Sequence, residues 1–344
     1  QSNMPFVTHA WAVTGEYSVV LSAFSDTYPL GVSCTQRIVI VDQPIHFVDI
    51  ASASPVSPFA SWACAATNIQ DALDAVTVRG ARVLVSNGVY STGGTVPPMC
   101  ALTNRIMATN AIVVESVNGP FHTTILGAGP PGDSAVRCAW LSDWAQLVGF
   151  ALSNGCTRIS GHEYRDQSGG GIYAEKGTAR RCVLVENSAN QEGGGMFWGA
   201  AEDSLLTGNS ASRGGGASLS AINNCTISSN TATQGGGVYE STVNNSIVYF
   251  NSAGQGMNWE LGTYRYSCSL PKPAGSGNIS ANPQFMDLPY GGFHLLGTSP
   301  CRDIGDRASV SSLQDIEGGP RVWGGSVDMG AFEYILKGTI IVVW

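Results

Sequence analysis

The feature that most constrains this chain is a phrase that returns at a nearly fixed interval. "CVLVENSANQEGGG" begins at Cys182, "SLLTGNSASRGGG" at Ser204, "CTISSNTATQGGG" at Cys225 and "SIVYFNSAGQG" at Ser246. The aligned asparagines are Asn187, Asn209, Asn230 and Asn251, at intervals of 22, 21 and 21, and glycine triplets begin at Gly169, Gly193, Gly214 and Gly235. A period in this range marks a solenoid, because one repeat cannot bury its own apolar face and must stack on its neighbours. Each unit holds apolar runs of three to five residues with period-two alternation, such as Val183 and Val185 against Leu184, and no run has the 3.6-residue period of a helix. Three short strands and three turns in a repeat of this length describe one coil of a right-handed parallel β-helix, with coils about 4.8 Å apart. The expected fold is therefore all-β.

The repeated letters acquire structural roles within a coil. A glycine triplet lets the backbone take positive φ at a tight corner. The asparagines stack coil upon coil as an internal ladder. Cys182, Ser204, Cys225 and Ser246 form one column of small interior residues. Cys182 and Cys225 are two coils apart, roughly 10 Å, which is beyond the reach of a disulfide, so both are expected as buried free thiols. Nine cysteines leave at least one without an internal partner.

The open ends of a stack of strands need caps. "TNIQDALDAV" (Thr67–Val76) is an amphipathic helix with Ile69, Leu73 and Val76 on one face and Thr67 or Asn68 as the N-cap. A strand and turn follow, ending in Asn87-Gly88-Val89-Tyr90. This pair resembles the N-terminal cap of pectate-lyase-like β-helices. "GNISANPQFMD" (Gly277–Asp287), "SPCRDIGD" (Ser299–Asp306) and "DIEGGPRVWGGSVDMGAFEY" (Asp315–Tyr334) resemble the closing segment of bacterial secreted β-helix proteins of the choice-of-anchor type. The repeat itself is also similar to that of outer-membrane β-helix adhesins. Upstream, "THAWAVTGEYSVVLSAFSDTYPLGVSCTQRIVIVDQP" (Thr8–Pro44) alternates as half-buried strands at Tyr17, Val19, Leu21, Ile38 and Ile40. It resembles the second half of a PKD-type immunoglobulin-like domain, which implies a chain cut from a larger multimodular protein. The expected organisation is a tag remnant at 1–3 (Gln1-Ser2-Asn3), partial immunoglobulin-like strands at 4–44, the β-helix at 45–335 with its clear repeats at 165–255, and a terminal strand or linker at 336–344 ("GTIIVVW" at Gly338–Trp344).

Charge narrows the function. The net charge is −8, and Lys176, Lys272 and Lys337 are the lysines. Nucleic acid, whose phosphates demand a basic face, is excluded as a partner, and a neutral ligand fits better than a strongly anionic one. No apolar run reaches the roughly 18 residues of a membrane span. The Lys-poor, Gly/Ser/Thr-rich composition leans towards a secreted or cell-surface bacterial protein.

Catalytic patterns are sparse. Lys176 with Arg180 and Arg181 is the dense basic group, where a lyase would find its base; a solvated turn is the alternative. Glu186, Glu192, Glu202, Asp203 and Glu240 lie in the repeats, where two carboxylates could meet across coils at hydrolase spacing. His162, Glu163, Arg165 and Asp166 in "GHEYRDQ" form the most polar loop and could make an acid–base group, with a plain surface loop as the alternative. No zinc-ligand spacing or calcium-type carboxylate cluster occurs, so neither a metal nor another cofactor is assigned, and no catalytic residue is named. Aromatic placement is more informative. If Ile172, Met196, Ala217 and Val238 point inward, Tyr173, Phe197, Ser218 and Tyr239 point outward, one coil apart. That step is close to the advance of one β-1,4-linked sugar, and aromatic faces stack on sugar rings without charge. Trp198 adjoins this row, and Trp259, Tyr264 and Tyr266 follow it. Tyr173, Phe197, Trp198, Tyr239, Trp259 and Tyr264 are the candidate carbohydrate contacts; loops covering the row are the alternative.

Three readings follow. The first is a non-catalytic module that binds a neutral plant cell-wall polysaccharide alongside other modules of a secreted enzyme. In architecture it is similar to the β-helical, xylan-binding carbohydrate-binding module family 89. The second is a polysaccharide lyase or glycoside hydrolase, and the third a surface adhesin or structural spacer.

Overall fold

The computed structural model describes residues 9, 11–286 and 292–335. Gln1–Asn3 and Gly338–Trp344, assigned above to a tag and a terminal strand, lie outside them. The chain divides into two compact units, Gln1–Pro44 and Ile45–Trp344. In the first, β1 (Gly15–Ser25) and β2 (Tyr28–Ile40) form an antiparallel ribbon running from Gly15 opposite Ile40 to Ser25 opposite Tyr28. The expected half-burial holds for Tyr17, Ile38 and Ile40 but not for Val19 and Leu21, which are exposed. Among the described residues of this unit the two strands have no second layer to cover their faces, and a lone ribbon is marginal in water.

The second unit is a parallel β-helix. Sheet 1 has nine strands, from Ile45–Val48 to Thr263–Arg265; sheet 2 has eight, from Gly88–Tyr90 to Cys268–Ser269; sheet 3 has seven, from Thr103–Ala108 to Trp259–Glu260. Within each sheet the neighbours are successive coils paired in parallel register, as in Ala200, Ala221, Thr242 and Thr263. A fourth, three-stranded sheet adds Ser210–Arg213, Thr231–Gln234 and Ser252–Gln255. The regular coils therefore carry four strands rather than three; the extra one follows the asparagine, where the sequence shows no apolar alternation.

Alternation places the core. Ala201, Ile222 and Val243 of sheet 1, Leu184, Leu206 and Ile227 of sheet 2, and Ile172, Met196, Ala217 and Val238 of sheet 3 pack in one cluster along the rod. Beside them runs the asparagine ladder. Each Nδ2 donates to the next Oδ1, Asn187 to Asn209, Asn209 to Asn230 and Asn230 to Asn251, all at 2.9 Å. Asn258, which follows Asn251 by only a third of a period, ends the ladder by accepting its Nδ2 at 3.1 Å. In the neighbouring column Ser204 Oγ accepts from Cys182 N, and Ser246 Oγ from Cys225 N, both at 3.0 Å. The thiols of Cys182 and Cys225 are buried and free.

The glycine triplet meets two different demands. Its first member takes left-handed φ, as at Gly193 (+62°) and Gly214 (+63°). The second and third do not; they are glycine because coils touch there, and a Cβ on Gly194 would lie 2.4 Å from the Ser210 carbonyl oxygen. Other corners use left-handed side chains. One column is Arg181, Asp203, Asn224 and Asn245; another is Trp198, Leu219 and Glu240. The strain at each is offset by a hydrogen bond to the next coil, such as Trp198 N to Ser218 O and Leu219 N to Tyr239 O, both 3.0 Å.

Both ends of the rod are dressed. α1 (Ile69–Asp74) is capped by Asn68, whose Oδ1 accepts Asp71 N at 2.9 Å, and it packs against the strands Ile45–Val48, Arg82–Val85 and Thr103–Ala108. From Ser299 to Tyr334 a closing segment runs back along the first corner column. Asn245 exchanges hydrogen bonds with Asp306 at 2.7 and 2.9 Å, Asn223 donates to Ser309 O at 2.7 Å, and Arg181 donates to Gln314 at 2.9 Å. Arg321, wholly buried, pairs with Glu333 at 2.6 Å and reaches Asp203 at 3.6 Å.

Candidate functional site

The outward row does point away from the rod core, but it is not exposed. Tyr173 and Phe197 are 1% and 0% accessible and form a separate cluster with Trp140. Trp140 stacks on Tyr173 at 4.1 Å, and Tyr164 covers Phe197 at 5.5 Å. The cover is the loop "GHEYRDQ", whose polar groups are spent on holding it down. Asp166 accepts N–H groups from Ala101, Leu102 and His162 at 2.8–3.1 Å. Burial works to raise the Asp166 carboxyl, but these donors outweigh it and hold the group below its ordinary range. Arg137, buried beneath the same loop, donates to the carbonyls of Arg165, Ser168 and Gly169 and stands over the rings of Trp140 and Tyr173. His162 Nδ1 accepts from the backbone of Tyr164 and Arg165, and Glu163 faces Arg213. The loop is thus a fixed lid rather than an acid–base group. Sequence reasoning missed Tyr164 as the cover, because the contact joins segments of different coils and no local pattern signals it.

The other aromatic candidates divide. Tyr239 is half-buried, with the Arg213 guanidinium 5.7 Å from its ring centre. Trp259 is half-buried and donates its indole N–H to Pro271 O at 2.9 Å. Tyr264 belongs to the rod core: its register partner is inward Val243, so it faces in rather than out. Trp198 differs. Its left-handed corner carries the ring to the edge of the aromatic cluster, stacked on Phe197 at 4.7 Å and beside Tyr164 at 5.8 Å. There it lines an open depression of about 450 Å³ with Glu175, Lys176, Gly199 and Leu219. Lys176 and Leu219 are exposed, and Glu175 accepts the Tyr173 hydroxyl at 3.2 Å.

The repeat carboxylates do not converge. Glu186 and Glu240 are exposed on different corners; Glu192 is buried against Arg213 and Ser218 Oγ; Glu202 pairs with Arg180; Asp203 faces Arg321 of the closing segment. Among the described residues no group of three or more His, Cys, Asp or Glu is placed to hold a metal ion.

Two further hollows follow from the closing segment. One lies between the outer face of sheet 1 and Ser311–Gln314; Gln146, Arg180 and Arg181 line it, with a volume of 510 Å³. Its carboxylate Glu115 is ion-paired with Arg82 at 2.5 Å and Arg181 at 3.8 Å. The other, of 730 Å³, is lined by His294, Asp315, Glu317 and Glu333. Burial, opposed by Arg321, pushes the Glu333 carboxyl up to about 7 and also raises Asp315.

No family model matches the chain, and no curated protein matches it. Among solved structures, the pectate lyase Pel9A is similar over 86% of this chain and 97% of its own, with 12% identity and a TM-score of 0.45.

Proposed function

We propose that this chain binds a neutral polysaccharide without cleaving it, as a module of a secreted or cell-surface protein. The observation that carries the reading is the Trp198 depression. An indole stacked on Phe197 and flanked by the tilted rings of Tyr173 and Tyr164 presents apolar surface at an open, shallow site. Its flanking charges, Glu175 and Lys176, cancel, which favours an uncharged ligand. Aromatic surface with a few polar neighbours suits a sugar ring, whose C–H face is apolar and whose rim donates and accepts hydrogen bonds. Of the six aromatic candidates Trp198 is the primary contact, with Tyr239 and Trp259 as outlying ones; Tyr173 and Phe197 support it from beneath, and Tyr264 has no direct part.

The test is depletion of the protein from solution by insoluble xylan, cellulose and related polymers, with the supernatant assayed for released sugars. Retention without products is expected. Trp198→Ala should weaken it about tenfold, near the ~1.4 kcal/mol one stacked ring contributes. Full retention by Trp198→Ala refutes the site.

An enzymatic reading is favoured by the 730 Å³ hollow, on whose lining the partly exposed Glu317 and His294 stand 3.1 Å apart. Released sugars, abolished by Glu317→Gln, would establish it. Neither retention nor products would leave an adhesin or spacer.

A further inference from the structure

A second exposed tryptophan stands at the start of the rod. Trp62, 43% exposed, opens the short turn Trp62–Cys64, and its ring meets Phe47 edge-on at 4.8 Å. The first coil fixes this turn: Phe47 N donates to Phe59 O at 2.8 Å, and Ala66 N donates to Phe47 O at 2.9 Å. Beside the indole, the corner between sheets 1 and 2 presents Asp49, Ser86 and Val117, which directly follow the register partners Val48, Val85 and Ser116 of three successive coils. With Asn87 and Asn118 they line an open depression of 390 Å³. Its polar rim is ordered before any ligand arrives. Asp49 Oδ1 accepts Ser86 Oγ and Ala51 N, both at 3.0 Å, and Asn118 Nδ2 donates to Asn87 Oδ1 at 2.8 Å. That last bond holds two exposed amides and leaves Asn87 Nδ2 as a donor and Asn118 Oδ1 as an acceptor for a ligand. Val117 and Asn118 also line an adjoining hollow of 300 Å³, together with the exposed ring of Phe121 and with Gln314 of the closing segment. The depression therefore opens into a groove that follows the corner towards the coils the closing segment covers.

We propose that the Trp62 groove is a second saccharide-binding site, taking a neutral oligosaccharide lengthwise along the rod. It shares with the Trp198 reading the class of ligand, a neutral sugar chain, and rests on that reading in this respect alone. An indole stacks on the apolar C–H face of a sugar ring, and amides at its side meet the hydroxyls of the rim, because each amide both donates and accepts. Three coils span about 10 Å from first to third, so the rim is long enough for more than one ring, and the adjoining hollow extends it. Nearby charges are engaged within the protein: Glu115 of the adjoining hollow pairs with Arg82 and Arg181, and Asp49 holds its two donors. The groove thus offers hydrogen bonds and an aromatic face rather than a counter-ion. Because Trp62 and the paired amides are already held, binding orders little of the protein, which favours affinity.

The test is isothermal titration calorimetry of the full chain with xylohexaose, cellohexaose and mannohexaose. At least one of them should bind at two sites per chain. Trp62→Ala should weaken one of these about tenfold, and Asn118→Ala should weaken the same one about threefold. Trp198→Ala should weaken the other. Circular dichroism checks the fold of each variant, and the exposed Asn118 keeps the test decisive if Trp62→Ala does not fold. Unchanged binding by both Trp62→Ala and Asn118→Ala overturns the proposal, and overturns it alone where Trp198→Ala still loses affinity. Weakened binding in those two variants with full binding by Trp198→Ala upholds the groove and refutes the Trp198 depression. No binding of any of the three sugars by the unaltered chain overturns both.

Discussion

Asn209 serves three coils at once. It accepts from Asn187 N and Nδ2, donates to Leu184 O, and donates to Asn230 Oδ1, all at 2.9–3.0 Å and out of reach of water. Asn209→Ala would leave buried donors and an acceptor unpaired, and the loss should be about 3 kcal/mol or more in urea unfolding. Glycines should separate by cause. Gly194→Ala drives a Cβ into backbone and should abolish folding to the native state, read by circular dichroism. Gly324→Ala, at φ +61° with nothing within 4 Å, should cost only about 1 kcal/mol. The ladder and triplets were legible because each occupies the same place in every period. Asn258 was not, because it fills its rung out of period. For Tyr173 and Phe197 alternation gave the direction correctly, but accessibility depended on a loop from an irregular coil. That loop is tied down by Asp166 to Ala101 and Leu102, far earlier in the chain, and no local pattern encodes such a tie.

Elements were legible where coils are minimal. The capping helix announced itself by Asn68 and by Ile69 and Leu73. The early coils did not, because inserted loops lengthen them and hide the period; Arg82 there takes Val113 as its register partner, and Val113 takes Gln146. The closing segment was recognisable as an end, but not its path along the corner column. Its anchor has a pH signature. Burial, partly opposed by Arg321, raises both Asp203 and Glu333 to about 7, from ordinary values of 3.8 and 4.5. The folded state therefore holds protons that the unfolded chain releases. Their contribution is complete below about pH 4 and is lost as pH rises through 7. Thermal unfolding between pH 4 and 8 should show Tm falling with pH, and Asp203→Asn should flatten that slope. A Tm that rises over this range would show that the Arg321 pairs outweigh burial.

At the scale of the molecule, a stack of coils in which each touches only its neighbours should come apart one coil at a time from a frayed end. The closing segment removes that freedom. It is bonded to the corners at Arg181, Asp203 and Asn245 and to Asn223 just before a fourth, and these belong to four successive coils. No coil in that span can leave while the segment remains, and the segment must break contacts with all four to go. Amide exchange should accordingly give the strands from Thr178 to Asn244 a common protection rather than a gradient. Under tension the same arrangement acts as a lashing. Load applied along the rod passes into a strap that crosses the layers instead of peeling the last one, and failure comes as a single rupture.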